Sequence, residues 1–292
     1  MYVEVSNVTF PSPLRYPGGK KKLTNFIKDA IVCNELQGGT YVEPFAGGAS
    51  VALHLLFTEY VTSIIINDLD KSIYAFWFSV LKDTENLCKL ILDTPVTVEE
   101  WETQKKIQDN KMEVDNLALG FSTFFLNRTN RSGIIKGGII GGKNQTGKWK
   151  IDVRYNKLDL IKRIEKIALY ANRIELHNQD AIDFIKTIGP NLEKKSLIYF
   201  DPPYYNQGAA LYANFYNHES HKDLAAFIQS LSHKWILTYD YTPDIIELYK
   251  SVEKRLLTLS YTAAQKVKGS EMIAFCDGFV IPRGDYSAVT IE

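Results

Sequence analysis

The stretch "LIYFDPPYYNQG", Leu197 to Gly208, combines groups that a plain turn does not need. Asp201 puts a carboxylate at the end of an apolar run. Pro202 and Pro203 lack N–H groups, so they exclude both helix and sheet ladder and hold their backbone rigid. Tyr204 and Tyr205 add two phenol rings. Three further stretches end in groups suited to a ligand. "YVEPFAGGAS" (41–50) gives Glu43 and then Ala46, Gly47, Gly48 and Ala49. Such a glycine-rich turn lets a ligand approach the backbone, although alone it reads equally well as structure. "IIIND" ends in Asn67 and Asp68, about 20 residues past the glycines, where an acid can accept hydrogen bonds from ribose hydroxyls or cap the helix that follows. Asp180 in "LHNQDAIDF" could face the adenine of a nucleoside or cap residues 181–188. The four stretches in this order are more specific than any one of them.

Something must hold these groups at one edge. "TYVEPF" (40–45), "SIIIND" (63–68), "RIELHN" (173–178), "SLIYFD" (196–201) and "KWILTYD" (234–240) are short continuous apolar segments, the pattern of buried parallel strands. Helical patterns "ASVALHLLF", "KSIYAFWFSVL", "AIDFIKTI" and "HKDLAAFIQSL" alternate with them. That alternation predicts an α/β sheet with right-handed crossovers. Ligands of such sheets bind beyond the carboxyl ends of the strands. "KRLLTLSYT" (254–262) and "EMIAFCD" (271–277) are close enough for a hairpin at the sheet edge.

From about Pro95 to Lys166 the rhythm breaks. A polar helical part precedes "NRTNRSGIIKGGIIGGKNQTGKWK". Residues 128–173 carry twelve Lys or Arg against Asp152, Asp159 and Glu165, a local balance of +9. The whole chain is neutral, with 34 basic and 34 acidic residues among 292. A polyanionic partner must therefore be met by this patch and not by global charge. The bland alternative is a solvated, glycine-rich surface excursion. Cys33, Cys88 and Cys276 form no C-x-x-C spacing and are expected as reduced, buried thiols of a cytoplasmic protein. No signal-like stretch opens the chain, and no run reaches the roughly 18 apolar residues of a membrane span.

With "RYPGGK" (15–20), "VEPFAGGAS" (42–50), "INDLD" (66–70), "FFLNRT" (124–129), "NQDA" (178–181), "IYFDPPYY" (198–205) and "SEMIAF" (270–275), the chain resembles the Dam-like DNA adenine methyltransferases. The pieces span nearly the whole chain, in the family's order. The resemblance implies a Rossmann-like methyltransferase sheet, mostly parallel with an antiparallel edge hairpin, plus an inserted DNA-recognition subdomain. Residues 1–94 and 167–292 would form the catalytic domain that binds S-adenosylmethionine, and 95–166 the inserted target-recognition subdomain. Tyr16 and Lys20 would line the cofactor site. Glu43, Phe45 and Gly47 would wrap the methionine part, Asp68 the ribose and Asp180 the adenine region. Asp201, also at the cofactor, would hold the target base with Pro202 and Tyr204. DNA contacts are expected from Asn127, Arg128, Arg131, Lys136, Lys143 and Lys148. The implied partner is double-stranded DNA, with a cognate restriction endonuclease as a candidate and no metal or membrane. After Thr129 the run departs from the family's usual pattern, so the target sequence is not implied.

The implied chemistry explains "DPPY". The exocyclic amine of adenine is a poor nucleophile because its lone pair is delocalised into the ring. Two acceptors, the Asp201 carboxylate and the Pro202 carbonyl, could localise that pair and aim it. The base must first leave the duplex, and Tyr204 offers it a stacking surface; Tyr205 either helps or packs. Relatives with this tetrapeptide on RNA or protein glutamine are a rival reading, disfavoured by "YPGGK" and by the insertion ahead of "DPPY". A catalytically silent DNA-binding relative is disfavoured because every catalytic position is filled. "GKNQTGKW" (142–149) nearly matches a phosphate loop, but Trp149 stands where Ser or Thr is needed. His218 and His221 are read as helix-start and surface residues, not as metal ligands.

Overall fold

In the computed structural model the described residues are 11–15, 20–205, 216–259, 270–284, 286 and 289–291. In chain order the strands are β1 (Thr40–Glu43), β2 (Ser63–Asn67), β3 (Ile174–His177), β4 (Leu197–Phe200), β5 (Lys234–Asp240), β6 (Glu253–Leu259), β7 (Ser270–Phe275) and β8 (Val289–Ile291). The α-helices are α1 (Thr24–Cys33), α2 (Ser50–Phe57), α3 (Lys71–Lys82), α4 (Thr84–Asp93), α5 (Val98–Asp109), α6 (Asn116–Thr129), α7 (Lys157–Ala168), α8 (Ala181–Ile188), α9 (His218–Gln229) and α10 (Pro243–Leu248). The chain divides into two compact units. A sheet unit comprises residues 20–46, 51–67 and 179–292, and a helical unit 1–19, 47–50 and 68–178.

In the sheet unit the strands run β2-β1-β4-β5-β7-β6-β8. The first four pair in parallel, and β5-β7, β6-β7 and β6-β8 are antiparallel. This is the expected α/β architecture, with the edge hairpin extended by β8. Strand β4 is buried throughout, as its continuous apolar sequence requires. Its side chains alternate between faces. Ile198 and Phe200 join a core with Phe184 and Ile188 of α8 and Leu224 and Ile228 of α9. Tyr199 lies on the other face, where its ring stacks on Tyr41 at 6.4 Å. Each large side chain so buried contributes about 1.5–3 kcal/mol. The parallel register sets Phe200 against Leu237, so the next residues, Asp201 and Thr238, emerge side by side.

The helical unit is built around α6, in which every residue from Leu119 to Thr129 is buried. The expected polar helical segment therefore contains the unit's most buried helix. Gly120 makes this possible: a Cβ there would stand 2.5 Å from the Ala75 carbonyl of α3. With the backbones that close, Phe76 stacks on Phe124 at 6.1 Å. Side-chain caps set the helix starts. Asp70 accepts from the Ser72 N–H, Asp115 from Ala118 and Asn156 from Asp159.

No helix among the described residues is long and apolar enough to cross a membrane. Cys276 is buried, but Cys33 is exposed and Cys88 half-buried, which corrects the expectation of three buried thiols; Cys33 and the exposed Val32 follow Ala30 and Ile31, which the core takes from α1.

Candidate active site

The sheet unit gathers five side chains at the end of β4. The Asp201 carboxylate accepts a 2.9 Å hydrogen bond from the Thr238 hydroxyl on Oδ1. The Lys20 ammonium spans the same carboxylate, 2.9 Å from Oδ1 and 3.2 Å from Oδ2. It also donates to the Tyr204 hydroxyl at 3.2 Å and lies 5.2 Å from the centre of that ring. The Tyr204 hydroxyl in turn donates to Glu271 Oε1 at 2.8 Å. Glu271 Oε2 is buried, 3.3 Å from Lys20 Nζ, an ion pair without hydrogen-bond geometry. Burial alone would depress the Lys20 ammonium, but Asp201 and then Glu271 raise it well above the usual lysine value. Burial also raises the Glu271 carboxyl, against the pull of Lys20. Pro202 is buried behind Asp201. Tyr205 packs: its N–H donates to Asp240 and its hydroxyl bonds His218 at 2.8 Å.

Lys20 was expected to line a cofactor; its contacts include the "DPPY" aspartate and tyrosine and Glu271. Glu271 and Thr238 were not singled out from the sequence. The signal for Thr238 was its place in the strand beside "DPPY", and for Glu271 its place in "SEMIAF".

Also in the sheet unit, Glu43 is 5% exposed and, among the described residues, has no ion-pair partner. Burial pushes its carboxyl up to about 8. The Asn67 side chain ties two strand ends together. It donates to the Pro44 and Gln179 carbonyls and accepts from the Gln179 N–H. That places Asp180, which does cap α8, with Oδ1 accepting from the Ile182 N–H. Its other oxygen accepts from the Tyr216 hydroxyl at 3.2 Å. Phe45 meets the Tyr216 ring edge-on at 6.1 Å. Gln179 Oε1 is buried without a hydrogen-bond partner.

In the helical unit Asp68 and Gly47 hold each other. Asp68 Oδ2 accepts from the Gly47 N–H and Oδ1 from the Asp70 N–H, both at 2.9 Å. The Gly47 carbonyl accepts from the buried Trp77 indole at 2.9 Å. Gly47 has φ +46, a conformation that favours glycine. The cap of α3 is Asp70, which leaves Asp68 to the turn. Burial, and then Asp70, push the Asp68 carboxyl up to about 7.

These two raised carboxyls have a consequence for stability. A folded chain holds protons that an unfolded chain has already released, from about 4.5 to about 8 for Glu43 and from about 3.8 to about 7 for Asp68. Stability of the ligand-free protein is expected to fall as pH rises across those windows. Urea denaturation at a series of pH values checks this; a midpoint that rises from pH 5 to 8 would contradict it.

The basic segment is anchored by amides. Asn130 accepts from the Trp101 indole at 2.6 Å and donates to the Ile134 and Ile135 carbonyls. Gln145 donates to the Ile140 and Gly142 carbonyls and accepts from the Ile151 N–H. Arg131, Lys136, Lys143 and Lys148 are exposed on it. Asn127 and Arg128 are not, which corrects the expectation that both present themselves to DNA. Asn127 is 1% exposed and its amide clamps the Arg15 N–H and carbonyl and the Gly133 carbonyl. Arg128 lies buried in the same helix; burial, and then Arg163 and Arg15, lower its guanidinium to about 9.

Tyr16 lies outside the described residues. His218 starts α9 exposed, as expected, but His221 is 1% exposed, packed against the rings of Tyr205, Tyr216 and Tyr239 and bonded to the Tyr239 hydroxyl. It faces inward because α9 buries Leu224 and Ile228 on the same stripe. Among the described residues no group of three or more His, Cys, Asp or Glu could hold a metal ion.

Residues 16–264 match the family described as D12 class N6 adenine-specific DNA methyltransferase, and the chain belongs to that family. It is an adenine-specific DNA methyltransferase, with DNA as its substrate. It is 24% identical over 207 residues to the type II methyltransferase M.MjaIII of Methanocaldococcus jannaschii, covering 65% of this chain and 68% of that one. A solved structure of a Legionella pneumophila protein aligns over 87% of this chain and 85% of its own, at 10% identity and a TM-score of 0.33.

Proposed function

We propose that this enzyme takes the methyl group of S-adenosylmethionine and places it on the N6 amine of an adenine flipped out of duplex DNA. The observation that carries this reading is the Asp201 carboxylate, braced by Thr238 and Lys20 beside the Tyr204 ring. Asp201 and the Pro202 carbonyl accept the two N–H bonds of the amine, which localises its lone pair; a methylated nitrogen is acidic, so one of these protons would then leave it by way of the Asp201 carboxylate to solvent. Tyr204 stacks on the flipped base, an interaction of roughly 1–3 kcal/mol.

Within each unit, taken by itself, the residues present fit the cofactor's chemistry. Glu43 is a buried carboxyl without an ion-pair partner among the described residues, and an amino group brought beside it would favour its ionised form. Gln179 has a buried acceptor without a donor, next to Asp180. Asp68 retains lone pairs for ribose hydroxyls. When bound, S-adenosylmethionine supplies a methyl group on a positively charged sulfur. The chain's own work is to hold the amine in line and to exclude water.

The exposed Arg131, Lys136, Lys143 and Lys148 would meet phosphates. Lys143 is paired with Glu102 at 2.9 Å, but both are exposed and the pair is weak enough to exchange for DNA. Replacing all four by glutamine is expected to flatten the salt dependence of DNA binding, by roughly one unit of slope per lost phosphate contact. Cofactor binding without DNA should stay unchanged. An unaltered slope would remove these side chains from the phosphate contacts.

The type II relative favours a place beside a cognate restriction endonuclease. Single-molecule sequencing of DNA from cells expressing the enzyme tests the whole reading by revealing methylated adenines and their sequence context. A filter assay with duplex DNA, structured RNA and protein completes it. Labelling of RNA or protein without DNA would sink the proposal.

A further inference from the structure

The same site poses a problem for the reaction. Before any base arrives, the Lys20 ammonium stands against both oxygens of Asp201, and Thr238 donates to one of them. These donors already take most of the roughly four acceptor positions of the carboxylate, so an incoming amine competes with the ammonium there. A lysine ammonium buried at 4% exposure cannot be left without a counter-charge. The answer lies in the residue opposite Asp240 on the antiparallel neighbour of β5. Glu271 Oε2 is buried and lies 3.3 Å from Lys20 Nζ, a looser contact than the 2.9 Å from the ammonium to Asp201. Its partner oxygen Oε1 is already occupied by the Tyr204 hydroxyl.

We propose that Glu271 is a positioning residue of the base site: Oε1 anchors Tyr204, and Oε2 receives the Lys20 ammonium when the target amine takes its place on Asp201. The inference rests on the proposed adenine reaction. Charge counting supports it. Two carboxylates share one ammonium, so one negative charge remains available for the amine at every stage. With Lys20 and Asp201 alone, the amine would compete with a complete ion pair. The lysine stem is flexible, and the ammonium carries three donors that can rotate from one carboxylate to the other. Throughout the exchange it stays paired, and its loose 3.3 Å contact with Oε2 tightens into a well-formed hydrogen bond.

Glu271→Gln separates the two oxygens. Its amide oxygen can still accept from Tyr204, but its NH2 group cannot receive an ammonium. Single-turnover methylation should fall about 10- to 150-fold, the range expected for one hydrogen bond to a charged group. Duplex affinity, and the fluorescence of 2-aminopurine at the target position, should stay within about twofold of the parent, which a general loss of structure would not permit. Adding Lys20→Met to Glu271→Gln removes the trapped ammonium, so the double variant should be faster than Glu271→Gln. Tyr204→Phe keeps the ring and removes the anchor, so it should lower the flipped fraction, and it covers the case in which Glu271→Gln does not fold. A parent that methylates adenine while Glu271→Gln does so at the parent rate would overturn this role alone. So would a double variant no faster than Glu271→Gln, or unchanged flipping in Tyr204→Phe. A parent that leaves adenine unmethylated would instead overturn the reading on which the role rests.

Discussion

Asp201→Ala is expected to lower the single-turnover rate of methyl transfer by about 100-fold or more, while the duplex still binds. Asp201 makes no contribution to the basic segment, and phosphate contacts dominate affinity for DNA. What the substitution removes is the acceptor that strengthens as charge develops on the amine. It also takes from Lys20 one of two counter-charges, although Glu271 remains 3.3 Å away. Thermal denaturation therefore has to accompany the kinetics, and Asp201→Asn, which keeps one acceptor oxygen and the packing, should lose less. Tyr204→Ala gives the contrast. It removes stacking, so its defect should lie in the flipped population and should partly recover on a mismatched or single-stranded target, where unstacking costs less. With 2-aminopurine at the target, Asp201→Ala should flip like the parent and Tyr204→Ala less. Recovery on a mismatch by Asp201→Ala but not by Tyr204→Ala would reverse the two roles.

The sheet was legible because its central strands are buried on both faces. Continuous apolar runs such as "LIYF" have few other uses at that length. The acids at the strand tips were legible for a related reason: a carboxylate directly after a buried strand must have an employment. Which employment was not legible. Asp68 and Asp70 both stand ahead of α3, and only the fold assigns the cap to Asp70 and the glycine turn to Asp68. Asp180 performs the cap that its sequence allowed for, and its other oxygen takes Tyr216, a partner no local pattern announced. Contacts distant in sequence were hidden altogether. Lys20 and Asp201 are 181 positions apart, and no local pattern joins them. Charge misled at Asn127 and Arg128. They open a basic run, yet they end a helix buried on all sides, and their polar atoms face inward. A local count of charges cannot distinguish the last turn of a core helix from the loop that follows it.

Asp68→Ala is expected to weaken S-adenosylmethionine binding by about 10- to 150-fold, the loss of a charge-assisted hydrogen bond of about 1.5–3 kcal/mol. This follows from the proposed ribose contact, and pH makes it specific. The carboxyl of the ligand-free protein titrates at about 7. Only its ionised form accepts from two hydroxyls without keeping a competing proton. Affinity for the cofactor should therefore rise with pH through about 7 and level off above it. Protonation at lower pH costs binding and not folding, since the raised carboxyl makes the folded state more proton-avid. In Asp68→Ala both the affinity and this component of the pH dependence should be lost together. Asp68→Asn, which keeps an acceptor but cannot ionise, should be weak at every pH and equally flat. Asp68→Ala also frees the Gly47 N–H, which now donates to Asp68 at 2.9 Å, so a folding control is needed. Trp77→Phe supplies it, by removing the other bond to Gly47, from the indole to its carbonyl, while Asp68 stays in place. Calorimetric titration from pH 6 to 8 reads all four proteins. If Asp68→Ala binds like the parent, or keeps the parent's pH dependence, Asp68 does not hold the ribose. If Trp77→Phe loses as much affinity as Asp68→Ala and keeps the pH dependence, the turn matters through its shape, and the carboxylate through its charge.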